Sequence, residues 1–273
     1  MAHPQIAAFA RLAGENAKPT RLLAGQKTLL ARTMHDIRYD EVNDELLVTN
    51  PFASAILVYR GSANGEEAPV RVIQGAKTTI LAPDRLEVDP VNNEILVPEG
   101  NRLLVFPRTA NGDVAPIRVL EGPDTALVSA ESVVVDPVRN LMIIGTQDRR
   151  ATSGGGALLI FNRTDRGNVK PRAVIRGPNT GIVRINQMAI YPPKGWIIAS
   201  MPGRADQQEP EGVFIGVWSI QDNGNVPPRW KIGGPKSGLM KPRGVAINPN
   251  HKEVIVADMS LNSVLTFYFP EIF

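Results

Sequence analysis

The chain has 273 residues, of which 43% are hydrophobic, enough to bury a sizeable core and too many for a disordered chain. Thirty basic residues stand against 27 acidic ones, a net charge of +3, and no basic cluster or recognisable reader motif accompanies it, so nucleic-acid binding is not expected. Cysteine is absent, which excludes disulfides, thiolate nucleophiles and cysteine-ligated metals; no run of 18 apolar residues offers a membrane span.

In chain order, one phrase recurs. It opens at 6–25 as IAAFARLAGENAKPTRLLAG and returns at 55–75 as AILVYRGSANGEEAPVRVIQG. It follows again at 102–122, RLLVFPRTANGDVAPIRVLEG, and more loosely at 157–177 and 213–234. A second phrase lies between copies: LEVDPVNNEILVPE at 86–99, VVVDPVRNLMIIGT at 133–146 and VAINPNHKEVIVAD at 245–258. Such a period marks small sheets that bury their faces only by stacking.

Each unit reads as four short strands, for example Leu86–Asp89, Glu94–Pro98, Arg102–Phe106 and Ile117–Leu120. Asn111-Gly112 supplies residues that tolerate positive φ in a tight hairpin. No segment has the 10–15 residue pattern of a crossover helix. The expectation is an all-β propeller with five blades of four antiparallel strands, spanning 1–273 as one domain; six blades is the alternative. Inner-strand phrases start near Ile37, Leu86, Val133, Met188 and Val245. The last unit has three strands, and Thr20–Leu23 is expected to supply the missing outer one and close the ring. Ile6–Ala10 is then left over, either as an added strand or as the relic of a sixth blade. Arg71 and Arg118 on outer strands read as a solvated face.

These phrases resemble bacterial propellers of the NHL-repeat type, best at Lys241-Pro242-Arg243-Gly244-Val245-Ala246-Ile247-Asn248. The likeness covers essentially the whole chain and implies a fold rather than a job. Such propellers include protein-, carbohydrate- and RNA-binding domains, usually six-bladed, and a few related ones are lyases or lactonases. This chain departs by its blade count and by Asp36, Arg85, Ser132 and Gln187 at a position usually held by Gly.

Repeat alignment places His35, Asp84, Glu131, Asn186 and Arg243 just before the inner strands. It places Asn50, Glu99, Thr146, Ser200 and Asp258 at the ends of the second strands. Both sets belong to one end of the propeller. The ligand-binding candidates are therefore His35, Asn50, Asp84, Glu99, Glu131, Asn186, Arg243 and Asp258 at the channel mouth. Two longer loops, Gln147–Gly156 and Pro202–Gly212, are expected to form its rim. Asp84, Glu99, Glu131 and Asp258 offer oxygen ligands of the kind calcium takes, but Arg85 and Arg243 bring competing cations; no cofactor or metal is expected. Asp89 and Asp136 read as turn residues. The Gly-x-Lys-Thr phrases at 25–28 and 75–78 mark links between blades rather than a phosphate loop.

Of three histidines, only His35 lies near the mouth, beside Asp36. A pairing of His35 with Ser132 as nucleophile is disfavoured by the blades between them. No cofactor-binding or catalytic motif is present. The reading is a non-catalytic binding or scaffold propeller for a protein or carbohydrate partner, without membrane insertion. The alternative is a hydrolase or lyase acting on a lactone or polyuronide through His35 and mouth carboxylates. A solvent-facing Trp218 would favour carbohydrate stacking. The absence of a visible leader points to the cytoplasm, or to a secreted or periplasmic protein where a leader has been removed.

Overall fold

A computed structural model describes residues 4–32, 34–148, 155–203 and 212–273. It is an all-β propeller, and the only helices among the described residues are single 3₁₀ turns. Strands β1 (Gln5–Ala8) and β2 (Arg21–Ala24) form a two-stranded sheet. The first blade is β3 (Ile37–Asp40), β4 (Glu45–Asn50), β5 (Ala55–Arg60) and β6 (Arg71–Gln74). The second is β7 (Glu87–Asp89), β8 (Glu94–Glu99), β9 (Arg102–Pro107) and β10 (Arg118–Glu121). The third is β11 (Ala130–Asp136), β12 (Leu141–Gln147), β13 (Gly156–Asn162) and β14 (Ala173–Ile175). The fourth is β15 (Met188–Tyr191), β16 (Trp196–Pro202), β17 (Val213–Ser219) and β18 (Trp230–Gly233). The fifth holds β19 (Pro242–Asn248), β20 (Glu253–Asp258) and β21 (Ser263–Tyr268). Strands in each blade run in sequential order, as hairpins dictate.

The five expected blades are thus present, with second-blade strands within about a residue of their predicted bounds. The fifth sheet has three strands among the described residues, and β2, assigned from the sequence as its fourth, pairs with β1. The register explains this pairing. Ile6 faces Leu23 in β1–β2 as Ile56 faces Ile73 in β5–β6, so β1 and β2 reproduce the third and fourth strands of a blade.

Contacts resolve into two compact units, 1–99 with 104–118, and 100–103 with 119–273. In the first, Leu23, Val48, Leu57 and Tyr59 form a buried cluster in which Ile6 and Leu46 also pack. In the second, one cluster joins Val134, Ile143 and Leu158 to Met188, Ala199 and Phe214; another joins Ile198, Ile215 and Val217 to Val245, Val254 and Val256. Each cluster fills a junction between consecutive sheets. The aliphatic, β-branched residues of the inner strands suit that packing.

Polar contacts repeat as regularly as the apolar ones. The link after each fourth strand turns through Gly-x-x-Thr, with Ser237 in place of threonine after β18. Thr28, Thr78, Thr125 and Thr180 each donate to the glycine carbonyl three residues back, at 2.6–2.7 Å. Each hydroxyl also accepts a backbone N–H two residues on, in Leu30, Ile80, Leu127 and Ile182. The turn of the next blade then caps the link. Asp113 accepts the Lys77 N–H at 2.6 Å, Asn168 that of Asp124 at 2.8 Å and Asn225 that of Asn179 at 2.8 Å. Glycine is required at Gly75, where φ is 133° and a Cβ would lie 2.4 Å from the Asp113 carboxyl.

Arg71 and Arg118, expected in solvent, are instead largely buried. Arg71 forks onto Glu45 at 2.6 and 2.8 Å, and Arg108 adds a third bond to Glu45 at 2.8 Å. Arg118 forks onto Glu94 at 2.5 and 2.8 Å. The hydrogen bonds from Arg71 hold the Glu45 carboxyl below its ordinary pKa. A fourth-strand arginine and a second-strand glutamate on one face meet across the third strand, which a reading of exposed charge misses. The same pair of positions holds Leu141 and Ala173 in the third blade, packed in its core. In the fourth it holds Trp196 and Trp230, edge to face at 5.0 Å.

Two stability outcomes follow. Thr125→Val leaves the Gly122 carbonyl and the Leu127 N–H without their shared partner and should cost roughly 1–3 kcal/mol in denaturant unfolding. Glu94→Leu alone removes the carboxylate that Arg118 forks onto and should cost about 3 kcal/mol, whereas Glu94→Leu with Arg118→Ala, the third-blade pair, should recover most of the loss.

Candidate functional site

Four of the eight expected site residues lie in the first unit. His35 and Asp84 precede β3 and β7, and the structure brings them together through His35 Nδ1 and Asp84 Oδ1. Their side chains are 43% and 49% exposed, so this pair faces solvent. Beneath it Arg85 donates to the His35 carbonyl at 3.2 Å and to the Asp84 carbonyl at 2.8 Å. Thr49 ties the end of β4 to the same place by accepting the Asp36 N–H at 2.9 Å.

Asn50 and Glu99 have a different job. Asn50 donates to the Leu29 carbonyl at 3.1 Å and accepts the Ala53 N–H at 3.4 Å. Glu99 accepts the N–H groups of Leu81 and Ala82 at 3.2–3.3 Å. Both are buried, at 3% and 8% exposure. They hold the interblade links rather than a ligand.

The other four lie in the second unit. Asp258 accepts from Met240 and Lys241 at 2.8 Å with one oxygen, and from Ser260 and Leu261 at 3.0 and 3.1 Å with the other. Glu131 accepts from the Ser129 hydroxyl at 2.8 Å. Asn186 donates its backbone N–H to the Ser200 carbonyl at 3.0 Å. The Arg243 carbonyl receives the Ser200 hydroxyl at 3.2 Å. Register also corrects the alignment of Ser200: Val48 and Ala199 face equivalent first-strand residues, so Met201 matches Asn50, and Ser200 matches Thr49.

Asp89 and Asp136 are turn residues, as expected, and Asp40 is a third. Each accepts two backbone N–H groups from the turn that follows, at 3.0–3.1 Å. Ser132 is fully buried, out of a substrate's reach. Trp218 is also fully buried, packed on Phe214 at 6.3 Å, so it offers no stacking platform. Among the described residues no group of three or more acidic or histidine side chains is placed to hold a metal ion. Most of Gln147–Gly156 and Pro202–Gly212, the expected rim loops, lies outside the described residues.

Sequence reasoning missed two features of the first unit. One is apolar. Residues 51–54 form a short turn pinned between neighbouring links, since Ser54 donates to the Leu81 carbonyl at 2.5 Å and Asn50 to that of Leu29. Phe52, Leu81 and Leu29, which these bonds gather, are 79%, 68% and 52% exposed. They share the end of the sheet that carries His35 and Asp84. The signal was present as apolar residues in loop positions.

The other is a charged cluster below that surface. Arg38 Nε lies 3.8 Å from both Asp36 and Glu87 and donates to the Leu86 carbonyl at 3.1 Å. Burial pushes the Glu87 carboxyl up to about 7, against the pull of Arg38. The native protein therefore keeps a proton on Glu87 that the unfolded chain has lost. Its contribution to stability falls as pH rises from the ordinary carboxylate range, near 4.5, to about 7. Glu87→Gln should flatten that slope in unfolding titrations between about pH 5 and 8.

Comparison with protein-family models and with curated proteins found no match for this chain.

Proposed function

We propose that the chain is a non-catalytic binding propeller of the NHL-repeat type that presents one end of its first blade to a protein partner. The observation that carries this reading is the exposed Leu29, Phe52 and Leu81 group beside the His35–Asp84 pair. Exposed large apolar side chains on and beside one short turn, at the end of the sheet that also carries a polar pair, have the composition of a protein interface. The links beneath them are fixed by the side chains of Asn50 and Glu99, so the surface is already ordered before a partner arrives. A protein partner is preferred to a glycan because Trp218, whose exposure would have favoured sugar stacking, is buried. The second reading, a hydrolase or lyase working through His35, is supported only by the solvent-facing His35–Asp84 pair.

A photo-crosslinking residue placed at Phe52 or Leu81 should form a discrete protein adduct in the source cells. The same residue at Val91, an exposed position in the opposite turn, should not. Equal labelling at all three positions would defeat the proposal. Turnover of a lactone or polyuronide by the wild type, abolished in His35→Ala, would replace it with the enzymatic reading.

A further inference from the structure

In three blades one side chain near the end of the second strand takes two successive N–H groups of the link that enters that blade. Glu99 takes those of Leu81 and Ala82 at 3.2–3.3 Å. Thr146 takes those of Val128 and Ser129 at 3.1 and 3.3 Å, and Asp258 those of Met240 and Lys241 at 2.8 Å. The fourth blade has Met201 at this position. Its thioether is at best a weak acceptor, and it packs with Ile182 and Ile185 instead. The corresponding N–H groups are those of Val183 and Arg184, and among the described residues nothing accepts them. The link nonetheless keeps the shape of the others. Gly181 is left-handed at φ 66°, as Thr79 is at 55° and Ala126 at 59°. Ile182 and Ile185, on either side of the pair, are buried, as Leu127 and Ala130 are. Val183 and Arg184 themselves are half-buried, so the two N–H groups border solvent.

Two side chains add to this place. Arg184 carries a cation on the same link, and among the described residues its guanidinium has neither a hydrogen bond nor an ion pair. Gln147, at the end of β12, is 9% exposed, and its amide oxygen is buried without a hydrogen-bond partner. Gln147 stands opposite Gly156, and opposed residues point to one side of a sheet. On that side a Cβ at Gly156 would lie 2.6 Å from Ile182 and 3.1 Å from the Val183 carbonyl. A Cβ at Gly145, two residues before Gln147 on the same face, would lie 3.0 Å from Ile185. The Gln147 side chain therefore leaves its sheet toward the link. Turning the amide about its last bond exchanges oxygen for nitrogen, so the buried end can also donate.

We propose that the N–H groups of Val183 and Arg184, with the Arg184 guanidinium and the Gln147 amide, form a binding site for a carboxylate of a peptide ligand. Successive backbone N–H groups make a concavity for an anion, and a guanidinium beside them adds a charge-assisted bond. The class of ligand follows from the repeat itself, because in the second and fifth blades the same pair of N–H groups holds the carboxylates of Glu99 and Asp258. An acidic side chain and a chain terminus present the same group. The site lies wholly in the second unit and does not depend on the surface proposed above.

The test follows the backbone amides of the intact chain by proton–nitrogen correlation spectroscopy at constant ionic strength. The probes are N-acetylglutamate α-amide, with its carboxylate on a side chain, and N-acetylalanine, with its carboxylate at a chain end. The Val183 and Arg184 amides should shift and saturate, and the probe that saturates at the lower concentration identifies the source. The amides of Leu81, Ala82, Met240 and Lys241, already bonded to Glu99 and Asp258, should stay in place. N-acetylglutamine amide, which lacks the carboxylate, should move none of them. Arg184→Ala should weaken binding about tenfold. Met201→Glu installs the second-blade residue and should abolish binding by filling the pair from within. Thermal unfolding checks each variant, and should Met201→Glu unfold the chain, Met201→Thr, the third-blade residue, serves in its place. A response that does not saturate, one shared by the other links, or one indifferent to both Arg184 and Met201 would overturn the proposal.

Discussion

The structure depends on one recurring contact, in which the turn after a blade's third strand bonds back to the outer strand of the blade before it. Gly65, Gly112, Gly167 and Gly224 pair in parallel with Leu23, Ile73, Leu120 and Ile175. Asn64, Asn111 and Asn223 take a further N–H from those same outer strands, at 2.9–3.1 Å. A fourth strand would otherwise present an unpaired edge to water. This contact covers the edge, sets the spacing of one sheet from the next, and buries the apolar face between them. The backbone must turn through positive φ at each of these glycines, which is why Asn-Gly recurs in the sequence there.

With that contact satisfied, the fate of the polar residues is largely settled. A propeller end is crowded with link backbone, and every buried N–H there needs an acceptor. Asn50, Glu99 and Asp258 share one position and meet that need with three different side chains. In the third blade Thr146 does so by accepting from Val128 and Ser129. Chemical variety at a repeat position therefore signals a common structural duty here, not a varied ligand. The His35–Asp84 pair differs because it lies outside the link and remains exposed.

Much of the fold was legible because blade strands are local hairpins whose pattern recurs. The number of blades, the turn role of Asp89 and Asp136, and the linking role of Gly-x-x-Thr needed no long-range information. What was illegible depended on partners in other strands. Arg71 looks like a surface charge until Glu45 is seen across β5, and Trp218 looks available until Phe214 covers it. The pairing of β2 was ambiguous for the same reason, since a fourth-strand pattern does not say which third strand it joins. The site was the least legible part. Single residues such as Phe52 gain meaning only when hydrogen bonds from Asn50 and Ser54 fix where their loop rests.

The exchange of Glu–Arg for Leu–Ala and then Trp–Trp between blades bears on how such a chain can change over time. Both partners of each pair lie within one sheet, so a whole blade can be duplicated or replaced without separating them. In this one respect a blade carries its polar or apolar pair with it, although its apolar faces are shared with its neighbours. Arg108 crosses a blade boundary, since it reaches Glu45 from beyond the third strand of the next blade. A recombination breakpoint between the first and second blades would therefore leave that glutamate with one of its two arginines.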